Sequence, residues 1–131
     1  MCKTKILIAD DSAGIRMLLE FYLQQTDMYE VLIASDGQEA VDIALAQSPA
    51  LILMDMQMPV LDGFDACKRL RQEHGKDATV LPIIALSGSD TQSDLDRATE
   101  IGCNGFLSKP VEMERVLSII AETLQIENSV K

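Results

Sequence analysis

Five residues with phosphate- or metal-handling side chains stand where short apolar segments stop. Ile6-Leu7-Ile8-Ala9 runs into Asp10-Asp11, Leu51-Ile52-Leu53-Met54 into Asp55, Ile83-Ile84-Ala85-Leu86 into Ser87, and Gly105-Phe106-Leu107-Ser108 into Lys109-Pro110. Three carboxylates in one pocket repel by roughly 4 kcal/mol per pair at close range and an effective dielectric near ~20. A hard divalent cation offsets that repulsion, and Mg²⁺ commonly takes one or two carboxylates together with water and a phosphate. Lys109 adds a positive charge on a flexible stem. Together these groups make an electrophilic clamp for a phosphoryl group, with Asp55 in the middle as a nucleophile that gives an aspartyl-phosphate. Taken singly, each feature is ordinary: Asp-Asp reads as a turn and helix cap, the lone aspartate as a loop residue, Lys-Pro as a strand break. Their joint placement at four segment ends favours chemistry.

The elements that must carry these residues alternate along the chain. Apolar runs at 6–9, 31–34, 51–54, 83–86 and 105–108 read as strands buried on both faces. Between them lie amphipathic stretches. Ser12 caps a helix with Ile15, Leu18, Leu19, Tyr22 and Leu23 at helical spacing, and Asp36-Gly37 leads into one through Ala40, Val41, Ala44 and Leu45. Phe64, Cys67 and Leu70 form the third stripe after Asp62-Gly63. Leu95, Ala98 and Ile101 form a thin fourth one that ends at Gly102 as a left-handed cap. Val111 is expected to begin the last helix, with Val116, Leu117, Ile120 and Leu124 facing inward. Five strand-helix units imply a mostly parallel sheet covered on both faces, and ligands of such sheets bind at the carboxyl ends of the strands.

The formal charge is −10, from 11 basic and 21 acidic residues, which disfavours nucleic acid and favours basic partners and divalent cations. No run is apolar enough to cross a bilayer, and the N-terminus lacks the form of a secretory signal; a cytoplasmic protein is expected. Cys2, Cys67 and Cys103 have no metal-type spacing, and the latter two read as small packing residues. His74 reads as a surface loop residue.

The segments Ile8-Ala9-Asp10-Asp11-Ser12, Met54-Asp55-Met56-Gln57-Met58-Pro59-Val60-Leu61-Asp62-Gly63, Leu86-Ser87-Gly88 and Phe106-Leu107-Ser108-Lys109-Pro110 resemble the receiver domain of two-component response regulators. The resemblance covers nearly the whole chain, so one receiver domain over residues 1–131 is expected, with no effector domain attached in this sequence. It implies a flavodoxin-like, doubly wound α/β fold: a five-stranded parallel sheet in the order 2-1-3-4-5 with five helices. It implies Asp55 as phosphoacceptor, and Mg²⁺ held by Asp11, Asp55 and the carbonyl of Gln57, with Asp10 acting through water. Lys109 and Ser87 would contact the phosphoryl oxygens, Gly88 would keep the entrance open, and Phe106 would be the aromatic switch. Gln57 and Ser89 would flank the attack path. The Met-Gln-Met-Pro-Val stretch resembles receivers of hybrid sensor kinases and points towards phosphorelay.

The expected donor is a phosphohistidine on a sensor histidine kinase or a histidine phosphotransfer protein. The expected output is a downstream protein that reads the face of the fourth helix, fifth strand and fifth helix. A monomer or a weak phosphorylation-dependent dimer fits this role; direct contact with nucleic acid or membrane does not. The domain assists its own phosphorylation rather than turning over an external substrate. A haloacid-dehalogenase-type phosphatase would carry Asp-x-Asp on the first strand and usually a cap domain. A degenerate, phosphorylation-independent receiver would lack an acidic or lysine position. A flavodoxin-like cofactor carrier would need a phosphate loop after the first strand.

Overall fold

A computed structural model describes residues 3–74, 81–88 and 92–128 of the chain. The elements run β1 (Thr4–Ala9), α1 (Ala13–Gln24), β2 (Tyr29–Ala34), α2 (Gly37–Gln47), β3 (Leu51–Asp55), α3 (Gly63–His74), β4 (Ile83–Ser87), α4 (Gln92–Glu100), β5 (Gly105–Ser108) and α5 (Met113–Asn128). All pairings are parallel, and the strand order is β2-β1-β3-β4-β5. The expected flavodoxin-like sheet is therefore present.

Because successive strand residues point to opposite faces, each apolar strand feeds two cores at once. Leu7, Ala9, Ile52, Met54, Ile83 and Ala85 pack against α2, α3 and α4. Ile6, Ile8, Leu51, Leu53, Ile84 and Leu86 pack against Leu19 and Leu23 of α1 and Val116 and Ile120 of α5. Three helices on one face and two on the other leave the carboxyl ends of the strands as the uncovered rim.

Several helix starts follow from single polar side chains. Ser12 accepts from Ile15 N at 3.3 Å, Asp36 from Glu39 N at 2.8 Å, and Asp62 from Asp65 N at 2.9 Å, each satisfying a first-turn donor. Gly102 has φ +96°, and the N–H groups of Gly102 and Cys103 close α4 on the carbonyls of Thr99 and Ala98, as a glycine cap predicts.

Three details differ from expectation. Leu18 and Leu45 are exposed, because α1 and α2 bury narrower stripes than their apolar content suggests. The last helix begins at Met113, not Val111. Val111 is buried ahead of it and its carbonyl accepts the Tyr22 hydroxyl at 3.2 Å, while the helix's own bonding starts with Val116 N donating to Glu112 O. His74 ends α3 rather than lying in a loop. Ser89 and Asp90, assigned to the attack path and to the fourth helix, fall outside the described residues.

Candidate functional site

The sheet brings the strand-end residues together through ordinary backbone bonds. Asp10 N donates to Ala34 O at 3.1 Å, Met56 N to Leu86 O at 2.9 Å, and Lys109 N to Ser87 O at 2.8 Å. These bonds lock the ends of β1, β3, β4 and β5 to their neighbours. Asp10, Asp55 and Ser87 are buried, Asp11 is exposed, and Lys109 is part-buried. One carboxylate oxygen from each of Asp10, Asp11 and Asp55 lies within 4.8 Å of the other two.

Each buried carboxylate has one oxygen tied down and one turned to the lysine. Asp10 Oδ1 accepts from Ser12 N at 2.9 Å, and Asp55 Oδ1 accepts from Gln57 N at 3.1 Å. Lys109 Nζ lies 3.0 Å from Asp10 Oδ2 and 3.3 Å from Asp55 Oδ2. Burial pushes the Asp55 carboxyl up to about 6; the Gln57 N–H opposes the rise, the Asp10 charge adds to it, and Lys109 opposes it. Burial works against the Lys109 charge, but its contact with Asp10 and the charges of Asp55 and Asp10 outweigh that and raise its pKa.

Asp10 Oδ2 is fully buried, and among the described residues no donor reaches it in hydrogen-bond alignment; the Lys109 contact is ionic in character. A buried carboxylate oxygen with spare acceptor capacity, beside two more carboxylates, suits a hard cation or its water. The residues present therefore fit Mg²⁺.

Sequence reasoning passed over two residues that build this site. Arg16 Nη1 reaches back one turn to the Asp10 carbonyl at 2.7 Å, which holds the β1–α1 corner. Gly63 packs directly on the backbone of Asp55 and Met56: a Cβ there would stand 2.2 Å from the Asp55 carbonyl oxygen, so no larger residue fits unless that backbone moves. Arg16 was legible as a cation one turn beyond the Ser12 cap. The approach of Gly63 to β3 has no sequence signal beyond the Asp-Gly turn itself.

Phe106 is half-buried and packs with the α2–α3–α4 core. A cavity of about 630 Å³ opens beside it, lined by Phe106, Lys109, Pro110 and the first turn of α5. α1 exposes Met17, Leu18 and Phe21.

A parallel sheet with this strand order defines a flavodoxin-like α/β domain, here with a cluster of three carboxylates at its rim. Residues 6–121 match the response regulator receiver domain, and the chain belongs to that family, the phosphoacceptor modules of two-component systems. It is 37% identical over 112 residues to the alkaline phosphatase synthesis transcriptional regulatory protein PhoP of Bacillus subtilis (strain 168), covering 86% of this chain and 45% of that one. The chain spans about half the length of the curated relatives it matches. The Vibrio cholerae chemotaxis protein CheY4 superposes with a TM-score of 0.85 at 31% identity, covering 93% of this chain and 99% of that one. The Saccharomyces cerevisiae co-crystal structure of the histidine phosphotransfer signaling protein Ypd1 and the receiver domain of Ssk1 matches at a TM-score of 0.84 and 32% identity, covering 92% and 88%. No helix among the described residues is long and apolar enough to cross a membrane.

Proposed function

We propose that Asp55 accepts a phosphoryl group from a phosphohistidine on a partner kinase or phosphotransfer protein, and that the modified domain is read by a downstream protein. The observation that carries this reading is the position of Asp55: a buried carboxylate flanked by Lys109 and by two further carboxylates at the open rim of the sheet. The yeast complex supports the class of donor, since it pairs a similar receiver with a histidine phosphotransfer protein. The exposed apolar side chains of Met17, Leu18 and Phe21 on α1, the helix that follows Asp11 in the chain, offer that donor a docking face.

An Asp55 oxygen attacks the phosphorus, the bond from phosphorus to the histidine nitrogen breaks, and the imidazole leaves after taking a proton from solvent. Asp11, Asp55 and the Gln57 carbonyl would hold Mg²⁺, with Asp10 through water; the ion, when bound, supplies charge neutralisation for the phosphoryl oxygens. Lys109, beside Asp10 and Asp55, meets those oxygens, and the Ser87 hydroxyl, at the end of β4, donates to one of them. Catalysis is thus mainly positioning and electrostatics, which is what phosphoryl transfer requires.

The product carries extra negative charge and new acceptors. Drawing Ser87 towards it shifts the carboxyl end of β4. That helix is lightly held: Ala98 is its one buried residue, and Arg97 lies over the Phe64 ring at 3.8 Å. Phe106 has the neighbouring cavity to turn into. The output is a population shift on the α4–β5–α5 face.

The test uses Mg²⁺ and a small acyl phosphate. The protein should gain the mass of one phosphoryl group, removable by hydroxylamine, and Asp55→Asn should not. Equal uptake by Asp55→Asn overturns the assignment.

A further inference from the structure

We propose that Cys67 and Cys103 form a reversible intramolecular disulfide that ties α3 to the junction between α4 and β5. The two sulfurs lie 3.7 Å apart, from positions 36 residues apart in the chain. A disulfide spans about 2.0 Å, so bond formation asks for a closure of about 1.7 Å, within reach of a side-chain rotation and a small backbone shift. Cys67 is fixed on α3 and buried. Cys103 is half-buried between α4 and β5, with its N–H bonded to Ala98 O at 3.0 Å in the α4 cap, so the closure falls mainly on the two side chains.

The approach of the two thiols is imposed by a neighbouring side chain rather than by sulfur packing alone. Arg71, one turn after Cys67, donates through Nε and Nη2 to Gly102 O at 3.2 and 2.7 Å, and through Nη2 to Asn104 Oδ1 at 3.1 Å. Those acceptors bracket Cys103 in the chain. The arginine therefore ties the backbone on one side of Cys103, and a side chain on the other, to the helix that carries Cys67. The pair also shares a hydrogen bond in which either sulfur can donate. That bond, together with the Arg71 charge, eases loss of the first proton from the pair against the cost of burial.

With a small-molecule disulfide as oxidant, the one thiolate of the pair attacks a reagent sulfur. A mixed disulfide forms and one thiolate leaves. The other cysteine loses its proton, attacks the protein sulfur of the mixed disulfide and expels the second thiolate. The two protein protons neutralise the two released thiolates; the cysteines are oxidised by two electrons and the reagent is reduced by two. The bond closes beside the cap of α4, whose last turn is otherwise held by Ala98 and by the Arg71 contacts. Oxidation then stiffens the α4–β5 junction without touching the acidic rim.

The native, unphosphorylated protein is incubated with excess glutathione disulfide, its remaining thiols are blocked, and its peptides are mapped. The expected product has lost the mass of two hydrogens, joins the Cys67 and Cys103 peptides, melts several degrees higher and reverts with dithiothreitol. Cys2→Ser should behave identically. Full alkylation of both cysteines, a stable glutathione adduct left on Cys103, or a bridge that uses Cys2 would each overturn the proposal. None of these outcomes depends on phosphorylation, so failure here leaves the assignment of Asp55 untouched.

Discussion

Lys109 Nζ stands 3.0 Å from the buried Asp10 carboxylate, slightly nearer than it stands to Asp55. The lysine is thus shared between two acidic neighbours. Removing it leaves buried like charges facing each other. Lys109→Ala should lose about 2–3 kcal/mol of stability in chelator, below the loss expected for a fully buried pair because the ammonium is part-exposed. Mg²⁺ should narrow that gap, since it replaces the missing charge, and urea unfolding with and without the ion measures both effects. An equal deficit under both conditions would mean that Lys109 and the cation do not share a role.

The raised pKa of Asp55 makes a signed prediction for the metal-free protein. An unfolded aspartate titrates near 3.8 and this one near 6, so between those values the folded state holds more protons than the unfolded one. Stability from this group therefore falls as pH rises through that window. The stability difference between native protein and Asp55→Asn, measured in chelator, should shift in favour of the variant from about pH 4 to about pH 6. A flat difference would show that Asp55 titrates normally.

Val60 has φ +68° and is 81% exposed, in the loop that carries the chain from Asp55 to α3. A β-branched residue there is strained and buries little in return. Val60→Gly should stabilise the protein by about 1 kcal/mol, the relief of strain exceeding the entropy that glycine adds to the unfolded chain. A lower melting temperature would contradict this.

Arg71 is buried and spends its guanidinium on Leu81 O, Gly102 O and Asn104 Oδ1. Arg71→Ala should cost about 2–4 kcal/mol, because it strands carbonyls that the fold has already desolvated. It should also speed amide exchange at Gly102 and Cys103; unaltered exchange there would remove Arg71 from the α4 cap.

The rim was legible in the sequence because a parallel sheet puts every strand's carboxyl end on one side. The residues immediately after each apolar run therefore pointed to Asp10, Asp11, Asp55, Ser87 and Lys109 without coordinates. The order of the strands needed the family resemblance, since alternation alone fits several windings. Periodicity marked helix faces but not their width, which is why Leu18 and Leu45 seemed buried. Arg71 looked like any other cation in a polar helix, as its acceptors are groups assembled by distant segments. The meeting of Cys67 with Cys103 was hidden for the same reason.

The 2.8 Å bond from Lys109 N to Ser87 O joins the two groups that would grip a phosphoryl oxygen from adjacent strands. Their peptide frames are coupled, so neither can travel far alone. Clamp and trigger behave as one mechanical part: whatever pulls the serine is felt at the root of the lysine. Damage to either residue should therefore blunt the other's contribution, rather than subtract a separate share.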